Sequence, residues 1–383
     1  MTVESGDDAA RSSLSDLDIA VAHWGIEAWG GAEYLVTRLV EALGVDRVYT
    51  MGEPAPETPN PYGEVVFEDV LGSLSPQPIR RLQSRVDRVF EYALWEDVDW
   101  RAFGDPDVLV TSGSTTRAVL TPDDTLHVNY CHSPPRWFYD RYHDRKESVW
   151  GVLGRPLVRH LRTRDTAVDP RVDRYFANSP VVQRRLWKYY KRDSDVLYPP
   201  VDLDSYRDDG DEGFYLHLGR LDREKGVPAV VEAFEGLDAR LVFAGGRGDV
   251  DDSVYARIGR ATNMEHRGFV SESVKRELLA TCRAVVFNGV DEDFGIVPIE
   301  ANASGKPVLA RDEGFPAVFV REGENGYTHD GTAAGIRRAV GRVDGGGLID
   351  DPTTFVERFG IERFQTELCA GIEGAHERLH LQI

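Results

Sequence analysis

Short apolar runs of strand length alternate with longer amphipathic stretches along almost the whole chain. This alternation is typical of βα units that build a parallel sheet. Helical patterns fall between several of the runs, including Ala32–Leu43, Ile79–Ala93 and Val181–Tyr190. The pattern predicts an α/β protein with strands at Asp18–His23, Val65–Val70, Asp107–Ser112, His127–His132, Arg174–Asn178, Asp195–Tyr198, Phe214–Leu218, Arg240–Ala244, Glu265–Val270, Arg283–Phe287 and Pro307–Arg311.

The alternation is interrupted once, by Tyr198-Pro199-Pro200-Val201-Asp202 and the polar stretch that follows it. A chain of 383 residues also exceeds what one hydrophobic core usually supports. We therefore predict two Rossmann-like, doubly wound parallel-sheet domains facing a cleft. The predicted segments are a disordered acidic tail at 1–16, an N-terminal domain at 17–203, a C-terminal domain at 204–352 and a final helix at 353–383 that crosses back to the first domain.

The charge balance is strongly acidic, with 65 Asp and Glu against 45 Lys and Arg and a net charge of −20. This excess of carboxylates disfavours non-specific nucleic-acid binding. A surface rich in Asp with only six lysines suits concentrated cytoplasmic salt, so we infer a halophile.

No apolar run approaches the ~18 residues of a membrane span, and the polar start is unlike a signal peptide. We expect a soluble cytoplasmic protein whose three scattered cysteines are buried and form neither a disulfide nor a zinc site.

The segment from Asp291 to Pro307 carries the clearest chemistry. It follows an apolar strand and reads as a loop with free amides, Phe294-Gly295-Ile296, and then a helix. Such turns bind anions because helix N-terminal amides and the helix dipole point at the incoming charge. Glu292 and Glu300 flank the turn, where a site for phosphate alone would repel them, so we interpret them as acceptors for sugar and ribose hydroxyls. Asp291 and Asp293 are interpreted as helix-capping residues.

Two cations, Arg220 and Lys225, follow the first strand of the predicted C-terminal domain and precede a helix. An Arg and a Lys that converge suit a diphosphate whose charge grows as it leaves. The alternative is a pair of solvated loop cations.

In the first domain, Gly30-Gly31-Ala32-Glu33 opens a helix whose amides would meet the same diphosphate, although a tight turn alone would explain the glycines. The spacing is not that of a dinucleotide fingerprint, which disfavours a nicotinamide cofactor.

His132 ends a predicted strand at the edge where parallel sheets place functional residues, although a lone histidine is more often structural.

Arginines also gather at Ile79–Arg88 and Arg155–Arg164 against the acidic trend. The second cluster surrounds Leu157, Val158 and Leu161 at helical spacing, which suits contact with an anionic lipid. Arginines that cover an ordinary core helix are the alternative explanation.

Together these motifs resemble the retaining GT-B glycosyltransferases of family four, in the mannosyltransferase-like branch, here from a halophilic archaeon. The second half contributes G-R-L-D-R-E-K-G, E-D-F-G-I-V-P-I-E-A and G-K-P-V. The first half contributes W-G-G-A-E, N-Y-C-H-S-P-P-R-W, L-R-T-R-D and A-N-S-P-V-V-Q-R-R, running into Y-P-P-V-D. The likeness extends from about Asp18 to Leu368.

The resemblance implies a role for each motif residue. Arg220 and Lys225 would hold the nucleotide diphosphate, and the Phe294, Gly295 and Ile296 amides would hold its phosphate and sugar. Glu292 would bind the sugar hydroxyls and Glu300 the ribose. Gly31 would touch the phosphates, and His132 the transferred sugar.

A family member would transfer a hexose from GDP-mannose or a UDP-hexose to a lipid-linked or surface glycan, without a metal or another cofactor and with retention of configuration. It would act in the cytoplasm, with peripheral contact to an anionic membrane. A disaccharide synthase, a phosphorylase and a non-catalytic sugar-nucleotide-binding protein are the alternatives. This chain departs from the family pattern at Asn288, Gly289 and Asn302, and in the loop after Arg311.

Overall fold

A computed structural model describes residues 14–26, 30–52, 65–70, 87–143, 154–346, 348 and 350–381. The chain forms two compact units, Met1–Pro199 with Glu362–Ile383, and Pro200–Ile361. Residues 1–13 of the predicted tail lie outside the described residues, and Leu14 is buried in the core of the first unit. The predicted arginine cluster at Ile79–Arg88 also lies outside them up to residue 86.

The first unit contains a seven-stranded parallel sheet in the order β3-β2-β1-β4-β5-β6-β7. Its helices are α1 (Gly31–Leu43), α2 (Asp87–Glu96), α3 (Arg155–Val168), α4 (Pro180–Tyr190) and the C-terminal α11 (Ile361–Leu381). The strands are β1 (Ile19–His23), β2 (Arg47–Thr50), β3 (Val66–Asp69), β4 (Val108–Ser112), β5 (Leu126–Cys131), β6 (Arg174–Ala177) and β7 (Asp195–Val196).

The second unit contains a six-stranded parallel sheet in the order β10-β9-β8-β11-β12-β13. The strands are β8 (Phe214–Leu218), β9 (Arg240–Ala244), β10 (Met264–His266), β11 (Ala284–Phe287), β12 (Val308–Arg311) and β13 (Gly326–His329). Its helices are α5 (Val227–Glu235), α6 (Asp252–Arg260), α7 (Glu272–Thr281), α8 (Ile296–Ala303), α9 (Gly314–Phe319) and α10 (Ala333–Gly346).

The predicted fold class is confirmed, because both sheets are parallel and both follow the doubly wound order of a Rossmann-like domain. The central strands are almost wholly apolar because both of their faces are covered. In β1, Val21 faces one core cluster, with α1 and α11, while Ala20 and Ala22 face another, with α2. Two such domains are consistent with the GT-B fold.

Two strands were not predicted from the pattern. The four residues of β2 and of β13 include charged or polar side chains, so neither segment stands out as an apolar run. Strand β10 is also shorter than predicted and stops at His266, before Gly268, whose φ of 68° is incompatible with an extended strand.

The predicted C-terminal helix from Thr353 was placed too early. Residues Pro352–Phe355 and Glu357–Phe359 form separate 3-10 turns, and Gly360 is extended, so α11 begins only at Ile361. The helix then contributes Phe364, Leu368 and Ile372 to the core of the first unit. A Cβ atom on Gly371 would lie 2.5 Å from the Phe176 ring, so glycine permits this close approach.

A buried polar network holds the first unit together around Asp165, in the L-R-T-R-D motif of α3. Its carboxylate pairs with the fully buried Arg117 and accepts hydrogen bonds from the hydroxyls of Tyr92 at 2.9 Å, Tyr139 at 2.5 Å and Tyr190 at 2.6 Å. These partners come from α2, α4 and two loops. A buried charge is tolerated only when it is paired and hydrogen-bonded, so this motif has a structural role.

We expect Asp165→Asn to destabilise the first unit by about 3–5 kcal/mol, because it leaves Arg117 buried without its nearest counter-ion. The matched control is Glu367→Gln on α11, where the carboxylate pairs with Arg363 at 2.7 Å on the surface. The control should cost less than about 1 kcal/mol. Denaturant unfolding of both variants measures the difference, and equal costs would contradict the structural role of the network.

Candidate functional site

The second unit places Arg220 and Lys225 beyond the carboxyl end of β8. Gly219 ends the strand with a φ of 131°, and a Cβ atom on Gly245 would lie only 2.0 Å from the Gly219 carbonyl oxygen. Glycine at 219 therefore permits this backbone conformation, and glycine at 245 lets the loops after β8 and β9 touch. Arg220 is 75% exposed, and its guanidinium lies 3.3 Å from Asp222, so it is available to a ligand.

Lys225 forms an ion pair with Glu292, which brings together the two sequence motifs of this unit. The Lys225 ammonium also lies 5.7 Å from the centre of the Phe287 ring, at the end of β11. A contact of this kind favours a cation over the ring face. Both side chains of the ion pair are partly exposed, at 31% and 21%. An incoming phosphate could therefore replace Glu292 as the partner of Lys225, and a sugar hydroxyl could replace Lys225 as the partner of Glu292.

The loop between Glu292 and Ile296 presents the predicted amides at the start of α8. Gly295 has a φ of 74° and is the N-cap residue. Phe294 is buried, stacked on Phe315 with ring centres 5.2 Å apart, which anchors the loop. The predicted capping role of Asp291 and Asp293 is wrong, because glycine occupies the cap and the first turn contains no acid.

Glu300, interpreted from the sequence as an acceptor for ribose hydroxyls, already has two protein partners. Its Oε1 atom accepts hydrogen bonds from the Tyr206 hydroxyl at 2.8 Å and from the Lys275 ammonium at 2.7 Å. Burial raises the pKa of Tyr206, and the Glu300 carboxylate raises it further. Burial lowers the pKa of Lys275, but the Glu300 and Glu272 carboxylates outweigh it and the net shift is upward. The proposed ribose contact must therefore coexist with these two partners.

His217 in β8 was missed by the sequence reasoning, which read it as an ordinary strand residue. Its Nδ1 atom lies 3.2 Å from the Val286 carbonyl oxygen, and its buried Nε2 atom has no hydrogen-bond partner among the described residues. Burial lowers the pKa of His217 to about 4, opposed by the bond to Val286 and assisted by the nearby Lys225. Because β8 is buried along its whole length, its apolar sequence gave no signal that His217 is special.

The departures from the family pattern are accommodated by hydrogen bonds. Asn288 donates to the Gly226 carbonyl at 3.0 Å, and Gly226 is the left-handed N-cap of α5, with no room for a Cβ atom beside Asn288. Asn302 donates to Lys306 and Asn325 carbonyl oxygens at 2.9 and 3.0 Å. Both asparagines therefore fix the loops that carry the site motifs.

The first unit places His132 directly after β5, at the carboxyl edge of the sheet as predicted. Its Nε2 atom lies 2.8 Å from the Ser112 hydroxyl, and that hydroxyl lies 3.1 Å from Nδ1 of His23. Trp24 packs beside both rings and over Gly113, where a Cβ atom would lie 2.0 Å from the indole. His23 and Ser112, at the ends of β1 and β4, were missed because each looks like a polar residue ending an apolar strand.

The Gly-Gly turn stands at the start of α1, where it was predicted. Gly30 is the N-cap residue, and its amide donates to Glu33 Oε2 at 3.0 Å, so Glu33 reaches back to satisfy an end group of the helix. A Cβ atom on Gly31 would meet nothing within 4 Å, so no close contact requires glycine at this position. Trp29 of the same motif lies outside the described residues.

Residues 202–340 match the family model described as Glycosyl transferases group 1. This segment includes Arg220, Lys225, Glu292 and Glu300, and its similarity to the family model supports a transferase enzyme.

Several curated glycosyltransferases are similar to this chain. The alpha-1,3/1,6-mannosyltransferase alg-2 of Neurospora crassa is 26% identical over 242 residues, which cover 49% of this chain and 51% of that protein. The D-inositol 3-phosphate glycosyltransferase of Corynebacterium glutamicum is 29% identical over 185 residues, or 40% and 44% of the two chains. The chain spans about half the length of the curated relatives it matches.

Solved structures support the fold. Anabaena Alr3699/HepE in complex with UDP and glucose superimposes with a TM-score of 0.69 at 16% identity, over 93% of this chain and 99% of that one. The sucrose-phosphate synthase of Thermosynechococcus elongatus gives a TM-score of 0.63 at 16% identity, over 95% and 97%. At this identity the likeness concerns the fold alone.

We expect the imidazole of His132 to stay neutral at pH 7, because burial, with a smaller contribution from His23, lowers its pKa to about 3. The unfolded chain binds a proton with a pKa near 6.5. The unfolded state therefore holds more protons between these values, and folding stability contributed by His132 is present above about pH 6.5 and falls as the pH is lowered towards 3.

Histidine ring NMR titrations measure this pKa, with His132→Gln to assign the resonance. His217, with a pKa of about 4, serves as a second buried site. A His132 midpoint near the ordinary value of about 6.5 in the folded protein would contradict the lowered pKa.

Proposed function

We propose that the protein is a retaining hexosyltransferase, which moves a hexose from a nucleotide-diphosphate sugar to a lipid-linked or surface glycan acceptor. The observation that carries this proposal is the pairing of Lys225 with Glu292 within the glycosyltransferase group 1 segment. One side chain of the pair suits a phosphate and the other suits a hydroxyl, and both are accessible. A nucleotide sugar presents those two groups side by side.

The chemistry follows from the charges. The bond between the sugar anomeric carbon and the diphosphate oxygen breaks, and negative charge grows on the departing diphosphate. Arg220 and Lys225 would stabilise this charge, as fixed cations and amides do for developing anions. The acceptor hydroxyl attacks from the same face, its oxygen bonds to the anomeric carbon, and its proton passes to the departing phosphate oxygen. Configuration is therefore retained, and the protein cations perform the role that a metal has in other transferases.

The remaining site residues complete the donor site in this proposal. The Phe294, Gly295 and Ile296 amides bind a phosphate oxygen and the sugar, and Glu292 accepts from sugar hydroxyls. Glu300, steadied by Tyr206 and Lys275, accepts from the ribose. In the first unit, the Gly31 amide meets the phosphates and His132 the transferred sugar.

The donor is GDP-mannose or a UDP-hexose in this proposal. Relatives named as mannosyltransferases support mannose, and the Anabaena neighbour was solved with UDP and glucose. In this proposal the protein builds glycans, in exopolysaccharide synthesis or protein glycosylation. The acidic surface favours a halophilic archaeal host, so assays belong at high salt, where self-repulsion is screened.

We expect Arg220→Ala, Lys225→Ala and Glu292→Ala each to lower donor turnover by about 10²-fold or more, because each removes a group that acts on the leaving diphosphate or the sugar. Arg223→Ala is the matched control. It lies in the same loop, is 59% exposed and pairs with Asp251 away from Glu292. Hydrolysis and transfer are measured with UDP-glucose and GDP-mannose.

Near-normal turnover in folded Lys225→Ala and Glu292→Ala proteins would refute the transferase proposal. Binding of both donors without turnover in the wild type would favour the non-catalytic alternative. Transfer to free sugars in preference to lipid-linked ones would favour a disaccharide synthase.

We also propose that the protein acts in the cytoplasm and contacts an anionic membrane through α3. Leu157 is 44% exposed on this helix, and Arg155 and Arg159 form no ion pair within the described part of the chain. Arg162 instead donates to the Phe138 carbonyl at 2.6 Å, and Arg164 pairs with Glu96 at 2.7 Å. Only part of the arginine cluster is therefore available to lipid. No helix in the described ranges is long and apolar enough to cross a membrane.

We expect Arg155→Glu with Arg159→Glu to weaken binding to phosphatidylglycerol vesicles by at least about 2 kcal/mol, or roughly thirtyfold, because each basic residue near such a surface contributes about 1 kcal/mol and each glutamate adds repulsion. The charge-matched control is Arg240→Glu with Arg338→Glu, on the second unit. Vesicle sedimentation at moderate salt measures the effect. Equal losses in both double variants, or equal binding to phosphatidylcholine, would contradict a contact through α3.

A further inference from the structure

Four side chains in the first unit form a continuous line from β5 to the first turn of α1. His132 Nε2 lies 2.8 Å from the Ser112 hydroxyl, which lies 3.1 Å from His23 Nδ1. His23 Nε2 then faces Glu33 Oε1 at 3.7 Å, while Glu33 Oε2 accepts from the Gly30 amide. His23 and Ser112 are fully buried, and Glu33 is 9% exposed. The line is therefore shielded from water over most of its length.

The hydroxyl of Ser112 has one proton, so it can donate to only one of the two histidines. If it donates to His132 and His23 is neutral, then His23 carries its proton on Nδ1, and the bare Nε2 lone pair of His23 faces the Glu33 carboxylate. If it donates to His23, the proton of His23 is on Nε2 and points towards that carboxylate. The second arrangement is electrostatically favourable and the first is repulsive. The separation of 3.7 Å is an ionic contact rather than a hydrogen bond.

We propose that Glu33, through His23 and Ser112, fixes the tautomer of His132 as the form protonated on Nε2. Ser112 then donates to His23 and accepts the Nε2 proton of His132. The remaining ring nitrogen of His132, Nδ1, is left as a hydrogen-bond acceptor. His23, Ser112 and Glu33 are positioning residues in this arrangement.

The consequence for substrate recognition rests on the proposed function. A neutral acceptor nitrogen on His132 selects a donor sugar that presents a hydroxyl proton to it, since an acceptor repels another lone pair. The opposite tautomer would present a donor N–H, which either a hydroxyl or an ether oxygen of a sugar can accept, and would discriminate less. The Glu33 carboxylate at the helix start would thereby set the hydrogen-bonding character of the sugar site through two buried residues.

Glu33→Gln tests the proposal because it is nearly isosteric. The side-chain amide oxygen that this substitution introduces can keep the bond from the Gly30 amide, which turns the new NH₂ group towards His23 Nε2. That donor should pull the His23 proton to Nδ1, reverse the Ser112 hydroxyl and move the His132 proton to Nδ1. Two-bond nitrogen–proton NMR spectra of histidine-labelled protein at pH 7 distinguish the two tautomers directly.

The expected result is an Nε2-protonated His132 in the wild type and an Nδ1-protonated His132 in Glu33→Gln. His127 is an internal control. Its Nδ1 lies 2.9 Å from the Arg171 carbonyl oxygen, which can only accept, so its Nδ1–H form should be the same in both proteins. In a Ser112→Ala background the line is cut, and Glu33→Gln should no longer change His132. An Nδ1-protonated His132 in the wild type, or no change in Glu33→Gln, would overturn the proposal.

Turnover provides the second readout. Loss of one matched hydrogen bond to the sugar should lower kcat/KM of Glu33→Gln by up to about tenfold, while the fold stays intact. If the wild type turns over neither UDP-glucose nor GDP-mannose, the proposed function fails, but the tautomer measurement still stands or falls by itself. If turnover is normal and the His132 tautomer does not change in Glu33→Gln, the proposed positioning by Glu33 fails and the transferase proposal survives.

Discussion

Parallel strand pairing is the constraint on which the rest of this structure depends. In a parallel sheet every strand ends at the same edge, and the doubly wound order puts the first strand of each unit in the middle of that edge. Residues that are far apart in sequence are therefore gathered there. His23, Ser112 and His132 meet beyond three strands of the first unit, and Lys225 and Glu292 meet beyond two strands of the second.

Charge inside these units is tolerated only where it is compensated, and that requirement shapes both of them. Asp165 is surrounded by Arg117 and three tyrosine hydroxyls. Glu300 is held by Lys275 and Tyr206. An acidic chain with few lysines places one of those lysines against each of the two motif glutamates. The exposed Arg220, in contrast, lies close to Asp222 in the same loop. A residue that must bind a charged ligand therefore stays accessible.

Much of the fold and part of the site could be predicted from the sequence. Apolar runs such as Phe214–Leu218 and Arg240–Ala244 coincide with β8 and β9 because buried parallel strands must be apolar on both faces. The short strands β2 and β13 could not be found in this way, since hydrogen bonding to a neighbour, and not their own composition, makes them strands. The late start of α11 likewise depends on local turns that a helical periodicity does not show.

The sequence by itself determined the α/β class, the site motifs of each half and the residue types that suit a sugar nucleotide, because periodicity and side-chain chemistry are local properties. Only the tertiary structure decided that Lys225 pairs with Glu292, that Glu300 already has two partners and that the acids near α8 do not cap it. It also brought His23 and Glu33 into line behind His132. These facts depend on distances between residues remote along the chain, which arise only when the strands are ordered in the sheet.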